Sequence, residues 1–126
     1  MSRDSVALEK SKRFSIRIVR LYKYLQSQKY ETLISKQLLR SGTSVGANLT
    51  EAIYAISDKD FLTKVYISLK ECNETQYWLE LLYKTDFLSQ KEFESINADC
   101  VELIKLLTAI TKSKQANIKN RTIDKK

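Results

Sequence analysis

The chain has 126 residues, enough for one domain, and contains no proline and two glycines, where average usage would give roughly six and nine. Sandwiches, barrels and doubly wound sheets recruit those residues for frequent turns, so the composition excludes most β architectures and points to a chain that is nearly all helix. The formal charge of +7 is uneven: residues 1–40 carry +7, residues 41–108 carry −5 and residues 109–126 carry +5. A footprint for nucleic acid or acidic lipid fits this pattern, and so does mutual pairing of oppositely charged segments within or between subunits.

Phe14, Ile18, Leu21 and Leu25 recur on one narrow arc of a helix, and Asp4 or Ser5 can cap it. The first helix is therefore expected over residues 5–28. Ile34, Leu38, Val45, Leu49, Ala52, Ile53 and Ile56 keep a single phase that includes Gly42. They predict one helix over 30–56, passing through Ser41-Gly42-Thr43-Ser44 with a bend or, alternatively, broken there by a loop. Ser57-Asp58-Lys59-Asp60 is a start signal for a third helix over 58–85, with Phe61, Val65, Leu69, Cys72, Gln76, Leu79 and Tyr83 as its core stripe. Ser89-Gln90-Lys91-Glu92 is a full capping box opening a fourth over 89–112, with Phe93, Ile96, Cys100, Leu103, Leu107 and Ile110 inside. Short linkers make consecutive helices antiparallel neighbours, so the expected fold is an all-α, up-down-up-down four-helix bundle over 1–112. Beyond it, apolar periodicity ends, and residues 113–126 are read as a basic, frayed tail.

Several features lie outside those stripes. Ile16 and Val19 stand opposite Phe14, and Ile67, Trp78 and Leu81 lie off the Phe61 stripe. A helix that is apolar on several sides is expected where several sides are covered, so these residues predict a subunit interface, with Trp78 as anchor. Gly42 and Gly46 stand one turn apart, with small neighbours, and permit a close helix crossing inside the bundle or between subunits. They do not make a phosphate loop, because the spacing is short, no lysine follows and no strand precedes.

Lys10, Arg13, Arg17 and Arg20 form a ridge along the first helix, with Tyr24 on the same side, and Lys36 and Arg40 are one turn apart on the second. Together these six cations are candidate phosphate contacts. The competing reading pairs them with Glu71, Glu74 and Glu80 of the third helix. Glu71 and Glu74 share a face, but with no histidine in the chain and no CxxC they suit ion pairs better than acid–base catalysis. No enzyme activity, cofactor or metal is expected. Cys72 and Cys100 read as small core residues. With no apolar leader and no stretch of membrane-spanning length, a cytoplasmic protein is expected.

The stretch Gln37–Ala52 (QLLRSGTSVGANLTEA), the SDKDF at Ser57–Phe61 and the SLKECNETQYWLELL at Ser68–Leu82 resemble the bacterial 23S ribosomal RNA intervening-sequence proteins. Lys10, Ser11 and Phe14 match the KS-x2-F pattern of that family's first helix, and the resemblance covers residues 8–110. Cys72 replaces a common alanine, and Leu49-Thr50 stands where Ile-Ala or Ile-Glu is usual. The resemblance implies a left-handed bundle assembling as a homopentamer, and a relation to retroelement accessory proteins that bind RNA or DNA and a reverse transcriptase. It implies no established activity.

Overall fold

The computed structural model describes residues 2–124, all but the short connections being helical: α1 (Arg3–Gln28), α2 (Ile34–Ile53), α3 (Asp58–Lys84) and α4 (Gln90–Asp124). Three helix starts show how local sequence sets them. Ser2, rather than Asp4 or Ser5, caps α1, accepting from the Ser5 amide at 3.1 Å. Ser57 accepts from the Asp60 amide at 3.0 Å, and the Asp60 carboxylate accepts from the Ile56 amide at 3.3 Å. At Ser89 the capping box closes in both directions, Glu92 N to Ser89 Oγ at 3.1 Å and Ser89 N to Glu92 Oε1 at 2.8 Å.

α2 is shorter than the expected 30–56. At its start the chain turns through Tyr30, whose φ is +54°, and the buried Glu31 carboxylate accepts from the amides of Leu33, Ile34 and Ser35 at 3.0, 2.8 and 2.6 Å. One side chain thereby covers three of the free donors at the helix start. At the other end Ser57 must be extended to cap α3 (φ −155°, ψ 164°), so the chain leaves the helix after Ile53. Ile56, expected on the core stripe, is instead 94% exposed. The helix passes through Gly42 and Gly46 without a break.

The helices form a ring in which α1 touches α2 and α4, and α3 touches the same two. Every contact is antiparallel: Ser68 Oγ donates to Val45 O at 2.7 Å and Thr75 Oγ1 to Ser41 Oγ at 2.9 Å between α2 and α3. Gln76 Nε2 reaches Asn97 Oδ1 at 3.2 Å between α3 and α4. The core runs down the centre through Phe14, Ile18, Leu38, Val45, Leu49, Val65, Cys72, Leu79, Cys100, Leu103 and Leu107. Leu82, which is not among the residues of the expected α3 stripe, is also fully buried. The small-residue stretch of α2 lies within this ring: Gly42 and Gly46 face Ile18, Ser11 and Ser15 of α1, while Ser41 and Val45 meet α3. The close crossing permitted by the glycines is thus inside the subunit.

The expected tail beyond 112 is helical to Asp124. Lys114 Nζ and Arg121 Nη1 both bind the Asp58 carboxylate at 2.7 Å, Lys114 sits over the Phe61 ring at 5.1 Å, and Gln115 donates to the Tyr66 hydroxyl. Polar contacts to the start of α3 thereby replace the apolar stripe that ends at Ile110. Lys125 and Lys126 lie outside the described residues.

Candidate nucleic-acid interface

The ridge predicted on α1 faces α4, and the diagonal position of α3 leaves its carboxylates out of reach. Lys10 Nζ meets Glu102 Oε1 at 2.9 Å. Arg17 binds Asp99 Oδ2 at 2.7 Å and the Ser95 carbonyl and hydroxyl at 3.2 and 2.9 Å. Among the described residues Arg13 pairs only with Glu9, at 3.6 Å on its own helix. On α2, Arg40 does reach α3 as the competing reading expected, bridging Glu71 at 3.2 Å and Glu74. Glu74 also accepts from the Trp78 indole at 2.9 Å. Glu80 joins no ion pair among the described residues.

The six sequence candidates therefore separate. Lys10, Arg17 and Arg40 tie helices together within the subunit, whereas Arg20 and Lys36 are exposed and have no ion-pair partner among the described residues. Exposed pairs of this kind contribute about 0–1 kcal/mol each, so they organise the surface more than they stabilise it.

The outer face of α1 holds residues that the ridge omitted. Lys12, Ile16 and Lys23 are exposed beside Arg13 and Arg20, and Lys12 and Lys23 are also unpaired among the described residues. Their signal was already in the sequence, since 12, 16, 20 and 23 follow helical spacing opposite the Phe14–Ile18 stripe. Arg17 and Arg20 also line a groove of about 500 Å3 where α1 and α4 pack most loosely, floored by Leu21, Leu88 and Ile96, with Lys91 on the α4 side. Arg17 and Arg20 of α1 and Lys91 of α4 thus border this groove, beside the exposed cations of the outer face.

Of the residues predicted for a subunit interface, Ile16 is 52% exposed, whereas Val19, Ile67, Trp78 and Leu81 are half-buried. Trp78 packs against the core cluster and lies edge-on to the exposed Tyr77, with ring centroids 4.9 Å apart. Cys72 and Cys100 are both buried, their Sγ atoms 3.8 Å apart across α3 and α4. Both thiols are free, and the hydrogen bond between them together with burial pushes the Cys72 thiol far up. No helix among the described residues is long and apolar enough to cross a membrane.

A solved protein of unknown function from the S23 ribosomal protein family of Bacteroides thetaiotaomicron VPI-5482 has the same fold: its TM-score is 0.87 at 51% sequence identity, over 88% of this chain and 99% of that one. No curated protein matches the chain. Residues 3–109 match the family model described as 23S rRNA-intervening sequence protein. With the four-helix ring and the residues quoted above in agreement, the chain belongs to the 23S rRNA-intervening sequence protein family.

Proposed function

We propose that this protein is a non-enzymatic, oligomeric nucleic-acid-binding or accessory protein that contacts phosphates through the outer face of α1. The observation that carries this reading is the set Lys12, Arg20 and Lys23, exposed and unpaired among the described residues, with the weakly held Arg13 among them. Lysine and arginine side chains on one face displace counterions from a phosphate backbone, which gives affinity without demanding a sequence. Lys10 and Arg17 hold α1 to α4 and orient this face.

Ile16 stands among these cations and belongs to the same contact, because two copies meeting there would set like charges together. The subunit contact is placed on α3, where exposed Tyr77 and half-buried Trp78, Leu81 and Ile67 offer an apolar strip. The family resemblance supports a ring of five, in which several weak phosphate contacts act together, and a reverse transcriptase as a protein partner. The alternative, an assembly held only by intersubunit ion pairs, has fewer cations to draw on, because Lys10, Arg17 and Arg40 are paired within the subunit.

Fluorescence anisotropy with labelled duplex DNA and hairpin RNA at 50 mM salt tests the reading. The Lys12/Arg20/Lys23→Glu variant should lose at least tenfold in affinity while Lys10→Ala loses less than threefold. Absence of binding by the unsubstituted protein, or equal losses in the two variants, would overturn it. Native mass spectrometry at micromolar concentration should show one closed oligomer, and a monomer there would refute the assembly.

A further inference from the structure

α4 continues well past the point where the bundle can accompany it. The Arg3 guanidinium at the start of α1 reaches Ala109 O at 3.5 Å, so α1 ends beside that residue, and the family match ends at 109 as well. From Lys112 to Thr122 the described contacts are chiefly with the first turns of α3, through Asp58, Phe61 and Tyr66, with Arg3 and Asp4 of α1 bordering a cavity beside Ser113, Lys114 and Asn117. Residues Ser113, Gln115, Ala116, Lys119, Asn120 and Thr122 of this arm are exposed. A helix so polar gains little from packing, and its persistence needs another reason.

Its charge has an order. Lys105, Lys112 and Lys119 recur every seven residues on the outer side of α4, exposed and in no ion pair among the described residues. That period places their Cα atoms about 10.5 Å apart on nearly one line. The acidic residue nearest the arm is answered from the opposite side. Hydrogen bonding by Lys114, joined by Arg121, holds the Asp58 carboxyl below its ordinary value. The three lysines are therefore left to a partner that is itself a line of negative charge.

We infer that the α4 arm, residues 112–122, enters the major groove of duplex DNA, with Lys105, Lys112 and Lys119 following the phosphate backbone and Asn120 turned toward base edges. The inference rests on the nucleic-acid reading of the α1 face and adds a second contact to it. Duplex DNA is favoured over duplex RNA by shape. The B-form major groove is about 12 Å wide and admits an α-helix, whereas the A-form major groove is too deep and narrow for one. Asparagine, which pairs with adenine edges, is a residue type suited to that position.

The test is anisotropy with a labelled 20-base-pair DNA duplex and an RNA duplex of the same sequence at 50 and 150 mM salt. The full chain is compared with Lys112/Lys119→Gln and with Lys12/Arg20/Lys23→Glu. All the substituted side chains are exposed, and circular dichroism should confirm an unchanged helix content. The arm variant is expected to lose at least fivefold on DNA and less than twofold on RNA, with the slope of log affinity against log salt falling by about two on DNA. If the α1 variant loses affinity for both duplexes while the arm variant binds DNA like the unsubstituted protein, the arm proposal is overturned and the α1 reading stands. Equal losses on DNA and RNA overturn the groove assignment, and a loss confined to the arm variant supports the arm while sinking the α1 reading.

Discussion

Ile18 of α1 fills the space where a side chain at Gly42 of α2 would begin: a Cβ on Gly42 would stand 2.8 Å from Ile18 Cγ2 and 2.9 Å from Cγ1. Ile18 is fully buried and its β-branch leaves it little freedom to turn aside. Overpacking of this kind costs about 1–3 kcal/mol, against a gain of about 1 kcal/mol from replacing a helical glycine by alanine. Gly42→Ala should therefore lower stability by about 1 kcal/mol. At Gly46 the nearest atom to a Cβ is the Ser11 hydroxyl at 3.2 Å, which has less far to yield than Ile18 does, so Gly46→Ala should cost less than Gly42→Ala. Urea denaturation followed by circular dichroism measures both, and the reverse order would contradict this crossing geometry.

Glu31 makes stability depend on acid. Burial pushes its carboxyl up, but hydrogen bonds from the Ile34, Ser35 and Leu33 amides together outweigh that and leave it below the ordinary carboxylate value of 4.5. A carboxyl depressed in the folded state contributes stability that is present above the unfolded pKa and lost as pH falls through the folded one. The loss should thus begin below about pH 4.5, and Glu31→Gln should flatten the dependence there. Stability of the variant measured at pH 7 should be lower by about 1–2 kcal/mol, the size of a lost helix cap.

The pair Arg17–Asp99 should contribute modestly. Both side chains are more than a third exposed, and a double-mutant cycle with alanine at each position should give a coupling of about 0.2–1 kcal/mol. A coupling several times larger would mean that the α1–α4 seam is far drier than the structure shows.

Cys72 and Cys100 should be inert in the folded protein. Reaction needs access as well as the thiolate: both side chains are buried, and for Cys72 the hydrogen bond with Cys100 and burial also disfavour the thiolate. A disulfide exchange reagent should titrate them only at the rate of unfolding, and two rapidly reacting thiols in the native protein would contradict this packing.

Much of this architecture is written in local signals. The caps at Ser57 and Ser89 and the stripes of α1, α3 and α4 follow from hydroxyl placement and helical period, and the glycine pair announces a close crossing. Where tertiary contacts decide, the sequence is less direct. Glu31 caps α2 from outside its first turn, a role that Ser, Thr, Asp and Asn usually fill, and so the helix starts later than its apolar period suggests. The arm of α4 has no apolar stripe and is held by Asp58, 56 positions before Lys114. Charge alone suggests α3 carboxylates as partners of Lys10 and Arg17, but a four-helix ring puts α3 diagonal to α1 and places Glu102 and Asp99 of α4 beside them. That correction moves the candidate interface outward, from the ridge to Lys12, Arg20 and Lys23.

The central claim is that phosphates bind the outer face of α1, and the salt dependence of that binding tests it most directly. Affinity for a labelled DNA duplex should be measured by anisotropy from 50 to 200 mM salt, for the unsubstituted chain and for Lys12/Arg20/Lys23→Gln. Each phosphate contact adds about 0.9 to the slope of log affinity against log salt. The account predicts a steep slope that falls by about two to three in the variant; a slope near zero, or one that the substitutions leave unchanged, would contradict it.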